Sequence, residues 1–184
     1  MPRRLICVTG LMLCCATAIA DRPALPRPKI TLSASQRHFF VMLPDHRTEQ
    51  GDATGPAGAA YELLESGSFR QLWTVSGWYA ITVFLSDDGE HLVRMGNWAE
   101  GHELSKDDLA VAFYKKGMLL KQYSTADLVK DATAIRRTVS HYNWQACEEG
   151  MPRLTRDNRF SLKTIDGVLY TFDVTDGSIL RISK

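Results

Sequence analysis

Glu100-Gly101-His102-Glu103, with Asp107 and Asp108 close behind, gathers one imidazole and four carboxylates into nine residues. Imidazole and carboxylate together suit a divalent cation. The spacing matches no compact ligand motif such as H-E-x-x-H, so neither a metal site nor a cofactor is expected, and a charged loop between two strands accounts for the cluster. Acid–base work is the other chemistry open to these residues. A hydrolase would use His91, Glu100, His102 and Asp108, provided the fold brings them to one concave surface. His91, His102 and Asp108 are the catalytic candidates on that reading.

Asp87 and Asp88 offer a second carboxylate pair. Two catalytic carboxylates must face a common substrate in environments that separate their pKa values. Neighbours in a turn point apart, and Asp-Gly between apolar runs is a strong hairpin signal. FLSDDGEHLV (84–93) therefore reads as a structural corner. Cys147 with His141 invites a thiol nucleophile, which needs positive surroundings to ionise. Glu148 and Glu149 follow directly and oppose that. Trp73, Trp78, Tyr79, Trp98, Tyr142 and Trp144 form an aromatic set whose usual fate is the core. Trp98 and Trp144 have polar neighbours and, with His102, are the candidate ligand-binding residues. No phosphate-cradling glycine loop, nucleophile elbow or Cys/His zinc spacing occurs.

The elements that must position these residues are mostly strands. ITL (30–32), HFFVML (38–43), YELL (61–64), LWTV (72–75), WYAITVFL (78–85), HLVRM (91–95), MLLKQY (118–123) and VLYTFDV (168–174) are β-branched or aromatic runs bounded by turn residues. Pro44–Ala60 reads as a Gly/Ala-rich loop. One short helix is expected near 125–139: Ser124 and Asp127 have capping-box spacing, and Leu128, Val129, Ala132, Ile135 and Val139 recur at helical intervals. Ser105 and Asp108 make a similar pattern before LAVAFY (109–114), which conflicts with a strand there.

Repetition resolves that conflict. Leu32-Ser33 to His38 and Leu85-Ser86 to His91 share Leu, Ser and His in register, and Leu154-Thr155 to Phe160 is a looser third copy. Each leads to a hairpin with a turn glycine, at Gly67, Gly117 and Gly177. AFYKKG then fills the slot that strands fill in the other copies. The Ser86-Asp87-Asp88-Gly89 corner with Leu92-Val93, and the Phe172–Gly177 closing hairpin, resemble the blade pattern of β-propeller proteins. The SDDG…GNW and DLAV…Y runs also resemble small secreted bacterial proteins. Propellers typically need four to eight blades of about 40–45 residues, whereas three units at wider spacing occur here. The expected fold is mainly β: an antiparallel meander of about three blade-like hairpin repeats in open propeller-like or sandwich-like sheets.

The chain's 184 residues begin with Arg3-Arg4, an apolar stretch Leu5–Ala16 and Ala18-Ile19-Ala20, the pattern of a signal peptide cut after Ala20. Residues 21–29 then form a Pro-rich leader and 30–184 a single β-rich domain. Cleavage takes three of the four cysteines, leaving Cys147 and no internal disulfide. It also leaves 20 basic against 21 acidic residues, so nucleic acid is not an expected partner. No later stretch is long and apolar enough to cross a membrane. These features point to a secreted or periplasmic binding or assembly module with no recognisable catalytic motif, the hydrolase being the alternative. Its candidate partners are an envelope protein, an extracellular ligand, or a second copy joined through edge strands.

Overall fold

The computed structural model describes residues 25–47 and 53–184. The expected signal peptide and its cleavage site lie outside these residues.

Three four-stranded antiparallel sheets form in chain order. The first contains β1 (Lys29–Leu32), β2 (His38–Leu43), β5 (Ala57–Leu63) and β6 (Phe69–Ser76), with the two-residue strands β3 (His46–Arg47) and β4 (Ala53–Thr54) paired in the β2–β5 link. The second contains β7 (Val83–Leu85), β8 (His91–Met95), β9 (Leu109–Lys115) and β10 (Met118–Ser124). A single helical turn, α1 (Thr125–Leu128), and the short pair β11 (Arg136–Arg137) and β12 (Tyr142–Asn143) lead to the third sheet. That sheet contains β13 (Arg153–Leu154), β14 (Arg159–Lys163), β15 (Leu169–Asp173) and β16 (Ile179–Ser183). No closed barrel forms among the described residues.

Side-chain alternation explains how the sheets stack. Phe40, Met42, Ala60, Trp73 and Val75 of the first sheet pack on Val83, Leu85, Leu92, Ala112 and Tyr114 of the second. The opposite face of the second sheet sends Val93, Met95, Val111 and Phe113 against Phe160, Leu162, Tyr170 and Phe172 of the third. The middle sheet is thus covered on both sides, and LAVAFY is an unbroken apolar run for that reason. The outer sheets have one covered face and keep period-two alternation.

The expected corners take one form. Gln36, Gly89 and Asn158 have φ of 60°, 69° and 59°, and donate their N–H groups to Ser33, Ser86 and Thr155 carbonyls at 3.0, 3.1 and 3.2 Å. The hydroxyls of those same Ser and Thr residues accept the N–H groups of His38, His91 and Arg159 at 3.2, 2.9 and 3.2 Å. Gly67, Gly117 and Gly177 lie in the β5–β6, β9–β10 and β15–β16 turns.

Three expectations are revised. The capping box at Ser124 and Asp127 starts the helix, but the helix ends at Leu128, well short of 139. Leu128 reaches the core from the end of α1, whereas Val129 and Ile135 do so from the break after it and from the far side of a 3-10 turn, Ala132–Ala134, so no continuous helix underlies their spacing. The 44–60 segment is not all loop, because β5 begins at Ala57. Its small residues reflect close packing: a Cβ at Gly58 would lie 2.3 Å from the Phe40 ring. WYAITVFL is a strand only from Val83, the preceding residues forming an irregular link.

Candidate ligand cavity around Trp98

The loop after β8 begins with Gly96-Asn97-Trp98. Gly96 donates its N–H to the Ala110 carbonyl at 2.9 Å, and a Cβ there would stand 1.6 Å from the Leu109 carbonyl oxygen. Only glycine fits so close a backbone approach. Asn97 donates from Nδ2 to the Tyr79 carbonyl at 2.8 Å and accepts the Ile81 N–H at 3.0 Å, which fixes the link into β7. Trp98 is then laid against His141, with ring centroids 3.9 Å apart.

The opposite wall is the segment His141–Cys147. It is pinned at three places: Glu100 bridges His141, Tyr142 donates its N–H to the Ala99 carbonyl at 3.2 Å, and Gln145 bridges Thr164. Trp98, His141, Trp144, Gln145, Cys147 and Met151 help to line a cavity of about 280 Å³, and no Asp, Glu, Lys or Arg lines it. Trp98 Nε1 is buried and has no hydrogen-bond partner among the described residues. An indole N–H hidden from water without an acceptor costs roughly 1–3 kcal/mol.

The remaining candidates have other surroundings. His91 is buried and its Nδ1 lies 3.0 Å from Asp88 Oδ2, inside the corner. It pairs with Lys115 at the far end of β9 from Asp108, roughly 20 Å away at about 3.3 Å per residue. Those two do not share a site. Asp108 Oδ2 accepts the Tyr142 hydroxyl at 2.7 Å, and the Tyr142 oxygen also lies 2.7 Å from Thr125 Oγ1. Burial, aided by the Asp108 carboxylate, pushes the Tyr142 phenol up to about 12. His102 is exposed, with Nε2 3.3 Å from the Val139 carbonyl, and does not line the cavity with Trp98 and Trp144. No group of three or more His, Cys, Asp or Glu side chains suited to a metal occurs among the described residues.

Trp144 is a core residue as well as a cavity wall; its polar neighbours in the sequence do not make it a surface group. The cavity residues that sequence reasoning passed over include Asn143, Gln145 and Met151, and it weighed His141 only beside the thiol. Their meeting depends on backbone bridges between distant loops, which no local spacing announces. No family model and no curated protein matches this chain.

Proposed function

We propose that the protein is a binding module of the cell exterior or periplasm, and that the Trp98 cavity is its ligand seat. The compartment rests on the Arg3-Arg4, Leu5–Ala16 and Ala18-Ile19-Ala20 pattern of the sequence. Among the described residues, no helix is long and apolar enough to cross a membrane.

The observation that carries the reading is Trp98, whose buried Nε1 has no partner among the described residues and whose side chain helps to line a cavity without Asp, Glu, Lys or Arg. A ligand that supplies an acceptor oxygen there removes the cost of the orphaned donor. Beside His141 and Cys147 the lining bears aromatic rings and amides and no Asp, Glu, Lys or Arg to pair with a charged ligand, so the matching ligand is neutral, with a flat or apolar face beside a carbonyl or hydroxyl oxygen. Neutral oligosaccharides and uncharged peptide segments both meet that description.

The test is a titration of 15N-labelled protein with neutral oligosaccharides and with capped, uncharged peptides. The Trp98 indole signal is assigned from its loss in Trp98→Phe. A saturable downfield movement of that signal with one ligand class supports the reading. A signal that stays in place with both classes overturns it.

A further inference from the structure

Arg94 is a half-buried cation of the middle sheet without a counter-ion: no carboxylate among the described residues comes within ion-pair distance of it. Arg37, Arg70 and Arg159, by contrast, each meet a carboxylate, at 3.3, 2.6 and 3.4 Å. The Arg94 guanidinium lies over the Trp78 ring at 4.4 Å, and Trp78 packs on Tyr114 with centroids 5.4 Å apart. Nη1 donates to the Tyr114 hydroxyl at 3.5 Å, a long bond, and Nε is buried with no partner. Stacking holds the guanidinium flat and leaves its N–H groups to bond in the plane.

Arg94, Ala112 and Gln122 are paired directly across β8, β9 and β10, so their side chains share one face. With only the Ala112 methyl between them, Arg94 and Gln122 both reach a cleft of about 180 Å³, which Leu109, Tyr123, Lys106 and Asp107 also help to line. The loop before β9 holds the last two in place. Asp107 donates its N–H to Ser105 Oγ at 3.0 Å, and Ser105 donates its own to Thr125 Oγ1 at 3.3 Å. Lys106 and Gln122 are exposed, and their side-chain N–H groups have no partner among the described residues. Ser124 is already committed, its hydroxyl donating to Asp127 Oδ2 at 2.8 Å.

We propose that this cleft binds the carboxylate of a small monoanionic ligand, with Arg94 as its principal partner and Lys106 and Gln122 as further donors. A guanidinium presents a planar fork that matches two carboxylate oxygens. Arg94 and Lys106 against Asp107 leave the lining one net positive charge, which a single carboxylate neutralises. A phosphate brings roughly 1.5–2 negative charges and meets Asp107 with more like charge than the cations offset. Leu109 and Tyr123 offer the hydrocarbon part of the ligand an apolar surface. The cleft shares no lining residue with the Trp98 cavity, so the two sites are separate.

Titration of the 15N-labelled protein near pH 7.5 with sodium butyrate, against sodium chloride at equal ionic strength, tests this. The Arg94 Nε–H signal is assigned from its loss in Arg94→Lys, and affinity is read from the backbone amides of Lys106 and Gln122. Butyrate should move these signals saturably and leave the Trp98 indole in place, whereas chloride should not. Arg94→Lys keeps the charge and removes the fork, so affinity should fall at least tenfold. Asp107→Asn, an exposed change that leaves the Arg94–Trp78 stack intact, should raise it several-fold. Inorganic phosphate should bind several-fold more weakly than butyrate. A response that follows ionic strength alike for both salts overturns the proposal, as does saturation that leaves Arg94 unmoved or equal affinity in Arg94→Lys. Should Arg94→Lys fail to fold, Asp107→Asn decides: unchanged affinity overturns the site. Phosphate binding as tight as butyrate overturns the choice of a carboxylate.

Discussion

Asp87 Oδ1 accepts the backbone N–H of Ser35 at 2.7 Å, joining the corner of the middle sheet to the corresponding corner of the first. Its other oxygen lies 3.6 Å from Arg156 Nε in the corner of the third. One carboxylate therefore ties all three sheets at the end where their corners meet, around a cavity of about 180 Å³ that Thr31, Phe84 and Leu154 help to line. Its adjacent partner works within its own turn. Asp88 receives the Ser86 hydroxyl, the Glu90 N–H at 2.7 Å and a contact from His91.

Replacing Asp87 by Ala should therefore loosen contacts between sheets and leave each sheet intact. A loss of about 1–2 kcal/mol is expected, near the lower range for a hydrogen bond to a charged group because the site is partly hydrated. Urea unfolding measures it. A neutral outcome would show that the tie contributes nothing.

Asp88 gives the acid response. Burial opposes its charge, but the hydrogen bonds from Ser86 and Glu90 and the neighbouring His91 outweigh it and hold the carboxyl below its usual 3.8. A group with a lowered folded pKa contributes stability above its unfolded value, and that contribution disappears as pH falls through the folded value. Stability should thus decline below about pH 4, and Asp88→Asn should be less stable at neutral pH and less sensitive to acid. Unfolding free energies from pH 7 to pH 2 test this; parallel pH curves for the two proteins would contradict it.

Gly96→Ala should be among the most damaging single methyl additions in the molecule. The new carbon meets a backbone carbonyl at 1.6 Å, so the Leu109 strand or the Trp98 loop must move. A loss of about 3 kcal/mol or more is expected, with a lowered thermal midpoint and altered tryptophan emission. Near-native stability would mean that the loop is far more yielding than its hydrogen bonds imply.

The Tyr142 hydroxyl stands between Asp108 and Thr125. Tyr142→Phe leaves both without this partner and should cost about 1–3 kcal/mol. Alkaline difference spectra should show a phenol titrating toward 12 in the unmodified protein and missing from Tyr142→Phe. If the unmodified protein ionises one more phenol below pH 11 than Tyr142→Phe does, the assignment fails.

What the sequence disclosed follows from which interactions are local. The corner is local: hydroxyl, turn and returning strand lie within six residues, so Leu-Ser…His in two copies announces it. Thr164-Ile165-Asp166-Gly167 forms a similar turn, with the Thr164 hydroxyl on Asp166, which the sequence reading passed over. The strand HLVRM matches β8, while LAVAFY admitted a helix because burial on both faces erases period two. Leu128, Val129 and Ile135 mimicked a long helix for the converse reason: three core contacts at suitable spacing, joined by the end of α1 and a separate 3-10 turn rather than by a continuous helix. Trp98 stood out as a candidate, but its cavity did not. That space arises where Gly96–Ala99 meets His141–Cys147, some forty residues later, through bonds made by the backbone.

The ligand seat at Trp98 is tested most directly by calorimetry with the best neutral ligand from the indole titration, comparing the unmodified protein with Trp98→Phe. Phenylalanine keeps an aromatic face and removes the N–H donor, so affinity should fall about tenfold, equivalent to roughly 1.4 kcal/mol for one hydrogen bond. Equal affinity in the two proteins, with both shown to be folded, would contradict the role assigned to Trp98 Nε1.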